Sequence, residues 1–295
     1  MIKRLTIILL VFLSGLTLSA QNARFLGPLQ GMNHRQKGYS YQGMDIYGDW
    51  LVSCQNKGIA TIYKLSDDGF AKVSQFNLAT FSKVNHANVI SFGVEKFDAT
   101  DPLPVLYVSQ SHKKPYEGRK DLLFAERILP DMTGSTLLQT IFYDDKNNDF
   151  GYALQWVIDP KTQMLYGYGN TINNNDPANR HRIIKFRLPK LSEGEQVVLK
   201  SEEALENYLI EDVSGFSFNP IGQGLYILDD MLYMPTGLGK EDALSILYVW
   251  DLKNKTMKEI NLQSCTTGEL EDMSSYKGHF YIQGQDGLFV LTDEN

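Results

Sequence analysis

The chain has 295 residues, of which 43% are hydrophobic, and it carries a formal net charge of −7 at pH 7. That apolar fraction is typical of folded globular proteins and excludes a largely disordered chain. The acidic balance disfavours a nucleic-acid partner, because basic surfaces bind the phosphates of nucleic acids. After the first 20 residues no apolar stretch approaches the roughly 20 residues of a membrane-spanning helix, so we expect no membrane anchor.

The first 20 residues have the organisation of a secretory signal peptide. Lys3 and Arg4 precede an apolar run from Leu5, and the small residue Ala20 stands at the expected cleavage point. The next residue is Gln21, whereas a lipid anchor would need a cysteine there. We therefore expect an exported protein, periplasmic or extracellular. Residues 21–295 should form one domain, because strands separated by turns continue throughout and no linker interrupts them.

A short pattern recurs five times in this domain: a polar residue, an apolar run, a turn and an aromatic-rich run that again ends in polar residues. The five copies begin at Tyr41, His86, Leu154, Gly222 and Glu269. Such repeats are typical of a β-propeller, because one small sheet buries both its faces only between neighbouring sheets. The sequence predicts an all-β propeller of five four-stranded blades, with six or seven blades as the alternative.

The predicted strands follow one another in chain order, four to a blade. Blade one comprises GMDIYG, WLVSCQ, IATIYKL and KVSQFNL, and blade two comprises ANVISFG, VLYVSQ, LLFAERIL and LLQTIFY. Blade three comprises ALQWVID, MLYGYGN, RIIKFRL and EQVVL, and blade four comprises GLYILD, MLYMPTG, SILYVWDL and MKEINL. Before blade four, SEEALENYLI carries a capping signal that predicts a short helix.

Blade five has three strands, EDMSSYKG, FYIQGQ and GLFVL, before the sequence ends. The segment ARFLGPL, from Ala23, supplies a fourth strand. We predict that residues 23–29 pair with residues 287–291, which closes the ring and removes the exposed sheet edges.

Polar residues at the strand ends indicate the position of a site. The innermost strand of each blade begins on the face where the second strand ends, because the two form an antiparallel hairpin. This rule collects two sets of residues on one face: Gln42, His86, Asn88, Gln155, Gln223, Glu271 and Asp272 from inner strands, and Gln55, Gln110, Asn170, Thr236 and Gln283 from second strands.

Several convergent polar groups in a concavity are what a ligand site needs. The predicted ligand-binding residues are Gln42, His86, Asn88, Gln155, Asn170, Gln223, Glu271 and Asp272. The alternative is that these side chains hydrogen-bond backbone groups and water around the channel.

Histidines and basic residues favour the same face. His34, His86, His112 and His181 map to it, and His279 maps to the other face. Nearby loops hold Arg35, Lys37, Lys113, Lys114, Arg119, Lys120, Arg180 and Arg182. Such a local basic excess on an acidic protein suggests an anionic ligand, such as a uronate. No histidine spacing of the HxH or HExxH kind occurs, so the sequence predicts neither a metal nor a cofactor.

Aromatic residues near this face could provide stacking surfaces for a sugar. They are Tyr39, Tyr41, Tyr116, Trp156 and Tyr168, although Trp156 suits the core between blades equally well. Cys54 and Cys265 fall on neighbouring blades on this face once the ring is closed, so a disulfide between them stays open.

The whole domain resembles secreted bacterial β-propellers. Some of its inner strands also start in a way that resembles helveticin-J-like propellers, with HAN at His86 and QG at Gln42 and Gln223. Propellers include lectins, hydrolases, lyases and interaction scaffolds, so the fold alone does not choose a function. Amides and aromatic residues outnumber candidate catalytic groups on the predicted face. We therefore expect binding of a glycan or another polar extracellular ligand, including an anionic one.

An enzyme acting on a polysaccharide is the first alternative. The available acids are Asp45, Asp149, Glu269, Glu271 and Asp272. Blades two and four have His86 and Gln223 where a glycosidase would place carboxylates, so a uronate lyase with His86 or a tyrosine as base is easier to build. The second alternative is a scaffold for another protein. The sequence leaves open whether the chain catalyses a reaction and what its oligomeric state is.

Overall fold

The computed structural model describes residues 21–31, 39–67, 69–266 and 268–293. The predicted signal peptide lies outside this range, as do His34, Arg35 and Lys37. The described residues form five sheets arranged as a five-bladed β-propeller, which confirms the predicted fold class.

The strands follow the predicted order closely. Strand β1 spans Gln21–Gly27, and blade one contains β2 (Tyr41–Tyr47), β3 (Trp50–Gln55), β4 (Ile59–Ser66) and β5 (Gly69–Asn77). Blade two begins with β6 (Val89–Phe92), β7 (Leu106–Ser109), β8 (Leu123–Ile128) and β9 (Ser135–Asp144), and blade three with β10 (Tyr152–Asp159), β11 (Met164–Asn170) and β12 (His181–Arg187).

The second half of the chain completes the ring. It contains β13 (Gln196–Lys200), β14 (Glu206–Leu209) and helix α1 (Ile210–Ser214). Blade four then contains β15 (Tyr226–Leu228), β16 (Met231–Thr236), β17 (Ile246–Asp251) and β18 (Thr256–Asn261), and blade five contains β19 (Leu270–Tyr276), β20 (His279–Gly284) and β21 (Gly287–Asp293).

Two-residue turns fix the register of two inner hairpins. Asp229 and Asp230 join β15 to β16 with φ angles of 49° and 62°, and Lys277 and Gly278 join β19 to β20 with φ angles of 49° and 80°. Two consecutive left-handed residues produce the tight turn whose twist matches the flanking strands. In these two blades the inner strand therefore returns directly as the second strand, and its start shares a face with the end of that second strand.

The N-terminal strand closes the ring, as predicted. Strand β1 pairs antiparallel with β21, from Gln21 opposite Asp293 to Gly27 opposite Leu288. The inner strands β2, β6, β10, β15 and β19 contact one another in sequence, and β19 contacts β2. The ring is therefore closed, and the inner strand of each blade lies between the inner strands of its two neighbours.

Two local predictions before blade four are wrong. The segment EQVVL was predicted as the fourth strand of blade three, but it forms β13, which pairs parallel with β9 as a fifth strand of blade two. The fourth strand of blade three is β14, which lies inside the predicted helix. The edge of β12 offers backbone hydrogen bonds to this segment, and Lys185 Nζ binds Glu206 Oε1 at 2.9 Å. At the capping signal only a single 3₁₀ turn forms, Ser201–Glu203; sheet pairing then takes over in β14, and α-helix begins at Ile210.

The core lies between adjacent blades. Trp156 is 1% exposed and packs among apolar side chains of blades two and three, and its indole N–H donates to Asp121 O at 2.8 Å. It is thus a core residue and not a sugar-stacking surface. Cys54 and Cys265 are not joined to each other, so the disulfide that the sequence left open does not form.

Candidate functional site at the channel mouth

A cavity of about 430 Å³ opens at one mouth of the central channel. Its wall includes five of the predicted residues: His86, Asn88, Gln155, Asn170 and Gln223. Asn56 of blade one and Glu269 of blade five also line it, so all five blades contribute. The hairpin geometry explains this convergence, since these residues lie at inner-strand starts or second-strand ends.

The other three predicted residues lie outside the lining. Gln42 is buried, and its Nε2 donates to Ser40 Oγ at 3.4 Å. Glu271 is buried and accepts a hydrogen bond from Gln285 Nε2. Asp272 has no exposed surface, and its carboxylate accepts the backbone N–H groups of Met44 and Leu225 at 2.9 and 3.1 Å. Asp272 therefore links the inner strand of blade five to blades one and four.

Bulges decide which of these side chains reach the cavity. The pairing register shifts between Leu270 and Asp272, between Tyr41 and Met44, and between Tyr152 and Gln155, always at the start of an inner strand. A bulge inserts a residue and re-aims the neighbouring side chains. Simple alternation along a strand therefore fails where the site residues lie.

Two amides from neighbouring blades converge on one backbone carbonyl. Asn88 Nδ2 and Gln155 Nε2 both donate to Gln223 O, at 3.2 and 3.3 Å. The amide oxygens of Asn88 and Gln155 are buried and have no hydrogen-bond partner, and neither does the hydroxyl of Ser111, a further cavity-lining residue. These three groups can therefore still form hydrogen bonds. Leaving each of them buried without a partner costs about 1–3 kcal/mol.

Gln223 anchors the acidic side of the cavity. Its Nε2 donates to Gly237 O at 3.1 Å and to Glu269 Oε1 at 2.7 Å. Burial raises the pKa of Glu269, while the bond from Gln223 and the charge of Lys240 oppose that rise. Burial and the charge of Glu269 hold the pKa of Glu271 well above its ordinary value. Blade five therefore presents one carboxyl to the cavity, with a second carboxyl beside it.

His86 offers a hydrogen-bond acceptor to the cavity. Its Nδ1 lies 3.1 Å from Ser111 O, and since a carbonyl only accepts, the ring proton is on Nδ1. Burial lowers the pKa of His86, and the nearby His112 lowers it further. The imidazole is thus neutral near pH 7, and Nε2 retains its lone pair.

His112 has the opposite arrangement. Its Nδ1 accepts the backbone N–H of Lys114 at 3.0 Å, which leaves the proton of the neutral ring on Nε2. The two imidazole rings are 6.2 Å apart and nearly perpendicular. Together they give the mouth one acceptor and one donor on blade two.

Three of the arginines expected at this mouth have partners elsewhere. Arg119 binds Gln196, Arg180 pairs with Asp212, and Arg182 contacts Asp149 and Asn207. Of the basic loop residues that the structure describes, only Lys113 lines the cavity. The basic excess in the sequence therefore does not translate into a basic cavity wall.

The aromatic residues also differ from expectation. Of the five, only Tyr168 lines the cavity; it is 4% exposed and lies parallel to His181 at 5.9 Å. His181 itself is buried and its Nδ1 lies 2.7 Å from Glu211 Oε1. Tyr41 is buried and donates to Leu29 O. The described cavity wall thus has no broad aromatic stacking surface.

Some lining residues were missed in the sequence analysis. Gln55, Gln110 and Gln283 end second strands as predicted, but all three are fully buried and bond backbone groups. The next residues, Asn56 and Ser111, reach the cavity instead. The signal that could have identified them is the polar residue that directly follows a strand-ending glutamine.

Among the described residues, no group of three His, Cys, Asp or Glu side chains is arranged to hold a metal ion. Within that same part of the chain, no helix has the length and apolar character needed to cross a membrane.

Comparison with known proteins supports the propeller fold and does not indicate a function. No protein-family model matches the chain, and no curated protein matches it. Among solved structures it is similar to the glutaminyl cyclase of Myxococcus xanthus, with 12% identity and a TM-score of 0.50 over 92% of this chain and 96% of that one. A nidogen/laminin complex gives 9% identity and a TM-score of 0.42 over 84% of this chain and 73% of that one. At 12% identity the likeness to the cyclase shows the propeller fold alone.

Proposed function

We propose that this propeller binds a small polar ligand, such as one sugar unit of an extracellular glycan, in the cavity at its channel mouth. The carrying observation is the cluster of unpartnered buried polar atoms on Asn88, Gln155 and Ser111, all residues of the cavity wall. A ligand that hydrogen-bonds to them recovers the free energy lost when these groups left water. The proposal places this binding outside the cytoplasm, on the basis of the signal-peptide pattern.

Binding is favoured over hydrolysis by the positions of the carboxyls. A glycosidase needs two carboxyls about 5–10 Å apart on opposite sides of the scissile bond. Glu269 is the one acid in the described cavity lining, and its neighbour Glu271 belongs to the same blade. The largest group of polar residues in the described wall is instead the amides: Asn56, Asn88, Gln155, Asn170, Asn174 and Gln223.

A uronate lyase is the second candidate, because His86 keeps an acceptor nitrogen at the cavity and is neutral near pH 7. Such an enzyme also needs a cation to neutralise the uronate, and Lys113 is the available one. Incubation with uronate-containing polysaccharides tests this idea: new ultraviolet absorbance from unsaturated ends would support it. Absence of that absorbance with every polysaccharide would reject it.

The binding proposal is tested with the mature protein on a glycan array and in a thermal-shift screen of small polar compounds. The double variant Asn88→Ala/Gln155→Ala should lose the ligands that wild type binds. A matched control, Gln75→Ala/Asn77→Ala on β5, removes the same two side-chain types far from the cavity and should keep them. Equal binding by wild type and the Asn88/Gln155 variant would reject the site.

A further inference from the structure

The charged residues of the described cavity wall differ from those that the sequence suggested. Arg119, Arg180 and Arg182 have partners elsewhere, and Lys113 is the one lysine or arginine of the described wall. The side chain of Lys113 stands on the exposed loop between β7 and β8. An anionic ligand would therefore meet little fixed positive charge on the described part of the cavity wall.

The polar groups that lack partners at this mouth are mainly acceptors. Asn88 Oδ1 and Gln155 Oε1 are buried and unpartnered, and His86 Nε2 keeps its lone pair. A surplus of acceptors is complementary to a ligand rich in N–H and O–H donors.

One carboxyl is well placed to provide the negative charge. Glu269 lines the cavity, and Gln223 Nε2 fixes its Oε1 at 2.7 Å, which leaves its other oxygen for a ligand. The ionisable groups near it are Glu271, whose own pKa is raised, and Lys240, whose positive charge lowers the pKa of Glu269. Lys113, His86 and His112 belong to blade two, which is not adjacent to blade five in the ring.

We infer that the cavity selects ligands that carry a primary ammonium group among hydroxyl groups, as amino sugars do, with the ammonium held by Glu269. Hydroxyl groups of the ligand donate to Asn88 Oδ1, Gln155 Oε1 and His86 Nε2. This inference rests on the proposed function, because it names the ligand class of the same cavity. It adds the sign of the charge on the ligand, which neither the fold nor the amide-rich wall specifies.

Three sugars that differ only at carbon 6 test the inference. They are 6-amino-6-deoxyglucose, glucose and glucuronate, which present an ammonium, a hydroxyl and a carboxylate near neutral pH. Titrations of the mature protein, followed by saturation-transfer difference NMR, should rank the amino sugar first, with a dissociation constant at least about tenfold below that of glucose. Glucuronate should bind more weakly than glucose.

The variant Glu269→Gln keeps the size of the side chain and removes its charge. It should reduce the preference for the amino sugar over glucose to about threefold or less. Glu259→Gln, on the exposed edge strand β18, makes the same charge change away from the cavity and should retain the full preference. An unchanged preference in Glu269→Gln would overturn the assignment, and if that variant does not fold, the wild-type ranking decides.

Equal binding of the three sugars, tighter binding of glucuronate, or no binding of the amino sugar would each overturn the inference. These failures are distinguishable from failure of the proposed function. If a neutral or anionic ligand binds wild type and the Asn88→Ala/Gln155→Ala variant loses it, the cavity is a binding site without the cation preference. If that variant retains every ligand, the proposed function itself fails.

Discussion

Replacement of Asp272 by alanine should destabilise the whole propeller. The carboxylate of Asp272 accepts the backbone N–H of Met44, in blade one, at 2.9 Å and that of Leu225, at the start of blade four, at 3.1 Å. Met44 and Leu225 are 0% and 1% exposed, so water cannot replace the lost acceptor. Asp272→Ala therefore leaves two buried donors without partners and disconnects three inner strands.

The magnitude follows from these two donors. Each unsatisfied buried N–H costs about 1–3 kcal/mol, which gives a loss of about 2–6 kcal/mol. Burial also holds the pKa of Asp272 well above its ordinary value, so the variant is relieved of an unfavourable buried carboxyl. We expect a net loss of about 3 kcal/mol in the free energy of unfolding.

Urea unfolding followed by tryptophan fluorescence measures this loss, since Trp156 and Trp250 are buried. Asp67→Ala is the matched control: the side chain of Asp67 is 85% exposed and its ion pair with Lys277 is also exposed. Exposed ion pairs contribute about 0–1 kcal/mol, so the control should change little. A loss below about 1 kcal/mol for Asp272→Ala, at an unchanged m-value, would refute the reasoning.

Three further predictions concern the rest of the propeller. Burial raises the pKa of Asp45 from 3.8 to about 6, so between those values the folded protein holds a proton that the unfolded chain has released. The contribution of Asp45 to the free energy of unfolding is complete below about pH 4 and falls by about 2 kcal/mol towards pH 7, after allowance for its partial exposure. In urea unfolding, Asp45→Asn should flatten this dependence of the unfolding free energy on pH. If the unfolding free energies of Asp45→Asn and wild type change in parallel with pH, the assignment is wrong. Trp156→Phe should cost about 1–2 kcal/mol, because the bond to Asp121 O is lost, and an unchanged urea midpoint would argue against it. Deletion of residues 21–27 exposes the edge of β21 and should cause self-association in size-exclusion chromatography; elution identical to the mature chain would count against closure by β1.

Much of the architecture could be read from the sequence because propeller blades are built from local hairpins. The recurring pattern of polar start, apolar run and turn marks each hairpin without knowledge of the rest of the fold. The closing strand was predictable for a related reason: blade five lacked one strand, and β1 was the unassigned β-rich segment. The errors in strand assignment were confined to residues 195–210, where β14 takes the place predicted for β13 and β13 joins blade two. Both segments suit a strand or a helix, and their pairing depends on which sheet edge lies nearest in space.

The sequence by itself determined the propeller and the face on which polar strand ends gather, because hairpin connectivity follows from chain order. Only the tertiary structure decided which of those residues share the cavity. Glu269 lines it, whereas Asp272, three residues later, clamps the inner strands, because a bulge re-aims the side chains between them. The tertiary structure likewise gave Arg180 and Arg182 acidic partners away from the cavity, which changed its charge. Side-chain direction at a bulge and the partner of a charged group depend on residues distant in the chain, so neither follows from local sequence.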